Sequence, residues 1–273
     1  MMRALYTAAT GMLAEQTNVD TIANNLSNVN TTGYKTERTE FKSLLYQTLQ
    51  TKTTSANGEQ KPVGAQVGLG TRVAATTSMY TQGALLESDS KTDFAIEGNG
   101  FFAVRGADGN TYYTRNGNFT WSLNAAGRTI LADQEGYPVL DSRGNEIMVP
   151  QNVNAESMVF SEDGSIAYRN PETSQVIPLN QSFGIYQFNN PAGLEKLSSS
   201  RLQATPASGN ALLEGATQGL TRSKVIQSRL EGSNVQVADE MVNMIVAQRA
   251  YELNSKAITT ADSMLDTANN LKR

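Results

Sequence analysis

Cysteine and histidine are both absent from the 273 residues. The first absence excludes disulfides, thiolate zinc sites and cysteine nucleophiles. The second removes the commonest metal ligand and the usual general base near neutral pH. An enzyme made from this chain would have to work with carboxylates, Lys, Ser, Thr or Tyr alone, so neither catalysis nor a cofactor or metal is expected. A basic surplus is also missing. With 22 Lys and Arg against 26 Asp and Glu, the net charge is −4, which offers nothing to hold nucleic acid or anionic lipid. No apolar run approaches the roughly 20 residues that a membrane span needs. The opening MMRALYTAATGMLAEQ places one Arg before a short apolar stretch, but Tyr6, Thr7, Thr10 and then Glu15 interrupt it. This predicts a helix rather than a cleaved leader.

Helix breakers are scarce at both ends. All seven Pro lie between 62 and 206, and 19 of the 22 Gly lie between 46 and 222. Residues 1–45 carry four basic and four acidic side chains and residues 223–273 carry six of each, so the whole −4 falls in the middle. Within the first segment Leu5, Met12, Val19 and Leu26 stand seven apart, with Ala8, Ile22 and Val29 three residues on. In the last, Val237, Met244, Tyr251, Ile258 and Leu265 repeat the spacing, with Met241, Ile245, Ala261 and Ala268 alongside. A seven-residue repeat keeps one apolar seam on one side of a supercoiling helix. Both seams are thin, so each helix alone would be marginal in water and calls for a partner. The spacing predicts a C-terminal helix from about 235 to 270, opened by Ser233-Asn-Val-Gln236 as a capping box.

The middle reads as short strands, at 94–96, 101–104, 111–114, 118–121, 129–131, 137–140, 146–149, 158–160, 166–168 and 183–188, separated by turn signals such as Asp108-Gly109 and Asp163-Gly164. The fold class is therefore α+β: long N- and C-terminal coiled-coil-like helices packed together, with an all-β middle domain. The polar stretch 48–58 reads as a linker or extended loop. Gly98-Asn-Gly100-Phe-Phe-Ala103 matches a dinucleotide fingerprint but lacks a following helix, which favours a plain turn between strands. Asp133-Gln-Glu135-Gly136 lacks the ligand series of a calcium loop. Trp121 and the pair Phe101-Phe102 suit either sugar stacking or a buried edge.

The stretch IANNLSNVNTTGYK, with Asn24, Asn25, Asn28, Gly33 and Tyr34, resembles the signature of the bacterial flagellar rod and hook (axial) protein family. SNVQVADEMVNMIVAQRAYELNSKAI resembles the family's C-terminal block, and FAIEGNGFF and YTRNGNF its β-domain motifs. Between about 137 and 200 no motif is recognised. Within the family the likeness is to the distal-rod members, which carry a stretch after the first helix that the more flexible hook members lack; YQTLQTKTTSANGEQKP (46–62) occupies that place. The resemblance implies a structural subunit, exported unfolded by the flagellar type III apparatus, that stacks helically with copies of itself into a rigid hollow drive shaft of the basal body. Its partners would be proximal rod proteins, hook protein, basal-body ring proteins and the export gate. It implies four segments: 1–45 as helix and export-motif segment, 46–62 as the extended stretch that stiffens the shaft, 63–222 as the outer β domain, and 223–273 as the second inner-tube helix. Phe41 and Leu45 resemble the Phe-x-x-x-aliphatic gate motif, and on a helical turn they would share a face. Rival readings are a proximal rod or hook paralogue, a periplasmic carbohydrate-active enzyme, and an adhesin or secreted effector.

Overall fold

The computed structural model describes residues 2–50, 64–124, 126–150, 153–170, 175–198, 200–217 and 219–271. The chain divides into two compact units. A helical unit comprises Met1–Ser27, Glu37–Ser78 and Gln236–Arg273, and a β unit comprises Asn28–Thr36 and Met79–Val235.

In the helical unit, α1 (Met2–Ser27) packs on α2 (Val237–Asn270). Asn25, late in α1, reaches Glu240, early in α2, and Gly11 faces Asn254, so the two helices run antiparallel. Small side chains set the spacing. A methyl at Gly11 would lie 2.8 Å from the Asn254 amide nitrogen, and the buried residues include Ala8, Ala14, Ala247 and Ala261. Against α1 lie β1 (Glu37–Ser43) and β4 (Thr71–Ser78), an antiparallel pair whose register shifts between Glu40 and Phe41. A second ribbon, β2 (Tyr46–Gln50) with β3 (Ala65–Gly68), continues from them. The Thr21 and Thr39 hydroxyls meet at 2.9 Å, fastening β1 to α1.

The structure corrects several expectations here. The first helix ends at Ser27, and Phe41 lies on a strand, so no helical turn carries Phe41 and Leu45. Residues 48–50, the start of the expected linker, belong to β2 rather than a loop, because β3 supplies the backbone partners that the segment's own sequence does not reveal. The remainder of the expected linker, 51–58, and of the extended stretch, 51–62, falls outside the described residues. At the other end, 224–227 and 229–231 are strands, and α2 begins only at Val237. Ser233 Oγ accepts a bond from the Val235 amide (3.3 Å) and Gln236 caps α2 without a side-chain bond, so the capping box does not form.

The β unit contains β5 (Leu85–Glu87), β6 (Phe94–Glu97), β7 (Phe101–Arg105), β8 (Thr111–Thr114), β9 (Thr120–Leu123) and β10 (Thr129–Ala132). They are followed by β11 (Met158–Phe160), β12 (Ser165–Arg169), β13 (Val176–Ser182), β14 (Ile185–Gln187), β15 (Glu195–Lys196), β16 (Arg201–Gln203) and β17 (Leu212–Leu213). Last come β18 (Lys224–Gln227) and β19 (Arg229–Glu231). The largest sheet runs β15-β16-β8-β7-β14-β17, and every strand pair is antiparallel. Strand β7 explains the organisation. Its side chains alternate between faces, sending Phe102 and Val104 into one core with Phe94, Phe119, Leu131 and Phe183. Phe101 and Ala103 enter a second core with Tyr113, Phe188 and Leu202. Both faces of β7 are thus buried, and the Phe101-Phe102 pair is core rather than a sugar platform. Trp121 packs half-buried against the first core.

Residues 137–140 and 146–149 are extended but make isolated bridges, each to a different neighbour, instead of the expected strands. Pro138 has no N–H to donate, and the Val139 and Leu140 amides go to Leu131 and Ala103 respectively. The Gly98-Asn-Gly100 segment is the turn between β6 and β7, with Gly98 at φ +136°.

Candidate functional site

The family-like motif residues divide between the units. In the helical unit, Asn25 is buried and acts as a surrogate strand neighbour. Its Oδ1 accepts the Glu37 amide (2.8 Å) and its Nδ2 donates to the Glu37 carbonyl (2.8 Å) and to Glu240 Oε2 (3.3 Å). An amide side chain carries both the donor and the acceptor that such a two-way bond to backbone requires. Asn24 is exposed on α1.

In the β unit, Asn28 Oδ1 accepts from the Thr31 hydroxyl (3.1 Å), closing the turn after α1. Val29 is half-buried in that turn and lies outside the helix. Gly33 takes φ +70° and donates its amide to the Glu231 carbonyl oxygen (2.8 Å). The Tyr34 ring lies 5.4 Å from the Lys196 ammonium.

Immediately beyond Tyr34 is a cluster that the motif pattern did not single out. The Glu231 carboxylate is fully buried and receives Lys35 Nζ (2.6 Å), Arg115 Nη1 (3.2 Å) and the Gly83 amide (3.0 Å). Lys35 Nζ also donates to the Thr81 carbonyl (2.7 Å). The Arg115 guanidinium donates to the Gly98 carbonyl (2.5 Å) and stacks 5.3 Å from the Phe101 ring centre. Burial pulls the Lys35 ammonium below the usual lysine range; Glu231 opposes that shift and Arg115 adds to it. The same desolvation lowers Arg115. Beside them Asn234 takes the Thr36 amide and hydroxyl on Oδ1 (both 2.7 Å) and gives Nδ2 to the Met79 carbonyl and the Thr81 hydroxyl (both 2.8 Å). Each of these side chains sits within or beside a stretch quoted above, at TTGYK, YTRN and EGSN. The available signal was a charge inside an otherwise neutral motif.

The expected assembly-seam residues fall into two groups. Leu5, Met12, Val19, Leu26, Met244, Ile258 and Leu265 are half-buried and Ile22 is buried. Val237, Met241 and Tyr251 are exposed. Alongside the last group, Val242, Ile245, Val246 and Leu253 leave an apolar stripe bare on α2, while Tyr6 and Leu13 are bare on α1. Phe41 is exposed on β1, and Leu45, just beyond it, is 83% exposed. Asp133 Oδ1 accepts the Glu135 and Tyr137 amides and serves a turn. Among the described residues no group of acidic side chains is arranged to hold a metal, and no helix is long and apolar enough to cross a membrane.

Three family models match the chain in order. They are flagella basal body rod protein (residues 5–35), flagellar hook protein FlgE/F/G D1 domain (95–168) and flagellar basal body rod FlgEFG protein C-terminal (226–271). The chain is 46% identical to the flagellar basal-body rod protein FlgG of Borreliella burgdorferi, with 100% of each chain covered. It is 43% identical to FlgG of Agrobacterium fabrum (99% of this chain, 100% of the other) and 40% identical to FlgG of Buchnera aphidicola subsp. Schizaphis graminum (99% and 100%). By these matches the chain belongs to the flagellar basal-body rod protein family.

Proposed function

We propose that this chain is a structural subunit of the distal rod in the flagellar basal body, without enzymatic activity, which polymerises with copies of itself through the bare faces of α1 and α2. The observation that carries the reading is the stripe Met241, Val242, Ile245, Val246 and Leu253, exposed on the side of α2 that α1 does not cover. Covering such side chains stabilises by about 1.5–3 kcal/mol each. Because the five are 54–68% exposed, covering them gives a gross gain of roughly 5–9 kcal/mol, comparable to the association cost of about 4–15 kcal/mol. One contact is then marginal, and a lattice with several neighbours per subunit is stable. The balanced charge of both terminal segments permits close packing in an inner tube without strong repulsion.

In this reading α1 and α2 form coiled-coil contacts along the tube. Proximal rod proteins, hook protein and ring proteins are the neighbours. The type III gate reads Phe41 and Leu45 before assembly. The Val246→Asp and Ile245→Asp variants test the proposal. Both sites are exposed in the single chain, so thermal stability should change by no more than about 0.5 kcal/mol. Electron microscopy of basal bodies should show short or missing rods, and the cells should not swim. Normal rods in both variants would refute assembly through this face.

A further inference from the structure

Lys35, Arg115 and Glu231 come from three distant parts of the chain, 196 and 116 residues separating the two cations from the carboxylate. Their side chains are 3%, 2% and 0% exposed. One anion therefore serves two buried cations, and carbonyl oxygens of Thr81, Ile96 and Gly98 accept further N–H groups, while Arg115 Nε is left without a hydrogen-bond partner. The other buried carboxylate nearby, Glu214, is committed to Gln187 Nε2 (2.8 Å) and to the Ser223 amide and hydroxyl (both 2.7 Å).

Glu231 arrives last along the chain. It ends β19, which pairs with β5, directly after β18, which pairs with β6. Before these strands dock, residues 28–222 already hold the other strands of the β unit and both cations. Closing the cores at that stage would bury Lys35 and Arg115 with no carboxylate between them, and an arginine cannot shed its proton to escape the penalty. We infer that Glu231 is a charge latch: it makes closure of the β unit wait for the C-terminal segment, so that a partly emerged chain stays open. A buried ion group is commonly no more stabilising than apolar residues of similar volume, whereas removing one partner leaves an uncompensated charge. The triad's role is thus in the order of folding rather than in the final stability. The latch is a property of the single chain and stands whether or not copies polymerise.

The test uses the full-length chain, refolded from urea and pulse-labelled by hydrogen exchange, with amides of β7–β8 and of β18–β19 followed separately. In the wild type both groups should gain protection in one phase. In the Lys35→Met/Arg115→Met/Glu231→Met variant the urea midpoint should be no lower, yet β7–β8 should be protected at least tenfold sooner than β18–β19. Glu231→Gln alone should raise the unfolded population roughly a hundredfold or more, and adding Lys35→Met and Arg115→Met should restore it. Should Glu231→Gln not fold, the apolar triple variant still decides. Protection of β7–β8 ahead of β18–β19 in the wild type, or an unchanged single phase in the triple variant, overturns the latch.

Discussion

Replacing Gly33 by Ala separates a turn glycine from one that the packing requires. The residue sits at φ +70°, where an L side chain costs about 1–2 kcal/mol. The new methyl would also lie 2.7 Å from the Asn116 amide nitrogen and 2.8 Å from the Arg115 carbonyl carbon. Those are backbone atoms and cannot rotate away, so the strand or the loop must shift. That shift stretches the 2.8 Å bond from the Gly33 amide to the Glu231 carbonyl, worth about 1 kcal/mol. It also displaces Arg115 from the buried carboxylate. The total is about 3–4 kcal/mol. Gly109 supplies the control, because its φ is +79° and a methyl there meets nothing within 4 Å; Gly109→Ala should cost only the backbone part, about 1–2 kcal/mol. Urea unfolding followed through the single Trp121, packed against the main core, reads both variants. With a slope of roughly 2 kcal/mol per molar, Gly33→Ala should lower the midpoint by about 1.5–2 M, twice or more the shift of Gly109→Ala. Equal midpoints would mean that Gly33 does no more than close a turn.

Three further outcomes are expected. Burial pushes the Tyr113 phenol up to about 12, with Tyr186 adding to the shift. The fold therefore favours the protonated form: its contribution, up to about 3 kcal/mol for two pH units, is complete below pH 10 and disappears as pH rises through 12. Tyr113→Phe should flatten the fall of the urea midpoint over that range, and an undiminished fall would refute the assignment. Met244→Asp or Leu265→Asp puts a charge into the half-buried contact of α2 with α1 and should cost about 1–3 kcal/mol there. Helical ellipticity and swimming should be lost while the Trp121 transition stays, and normal swimming in both would refute the role of this contact. Phe41→Ala with Leu45→Ala removes two exposed side chains and should leave stability within about 1 kcal/mol while slowing export. Export at the wild-type rate would leave them as ordinary surface residues.

Elements carried by local signals were legible in the sequence. Strands β8 and β11 coincide with the aromatic and apolar runs at 111–114 and 158–160, because a hydrophobic run between turn residues needs little outside information. The strands β1, β3 and β4 were not legible. Their sequences, ERTEFKS, AQVG and TRVAATTS, are polar or mixed; β1 and β4 are strands because they pair with each other beside α1, and β3 because it pairs with β2. Lys35, Arg115 and Glu231 were hidden for a related reason. A charged residue in a motif reads as surface until two others, distant in the chain, are seen to share its burial. Asn25 could be singled out by its place in the motif, but its bond to both sides of the Glu37 peptide could not.

The heptad on α2 shows how a sequence period can leave the facing partner undetermined. Val237, Met244, Tyr251, Ile258 and Leu265 stand seven apart, yet the buried line passes through Glu240, Ala247 and Ala261, with Met244, Ile258 and Leu265 at its margin. Small residues take the inner line because Gly11 brings the helix backbones close together. The larger Met241, Ile245 and Val246 are left on the outside. A helix on the surface of a self-sufficient domain carries polar side chains there, whereas α2 carries a second apolar stripe. The exposed Arg249 and Glu252, paired at 2.9 Å, interrupt that outer side. Toward the C-terminal half it turns polar at Thr259, Thr260 and Ser263, so most of its bare apolar side chains fall within 241–253, with Met264 exposed beyond them. A lone chain leaves those side chains in water at a continuing free-energy cost. In the polymer proposed above, neighbouring subunits that meet along 241–253 would remove it, and the local composition of this one helix would then serve assembly rather than the stability of a single copy.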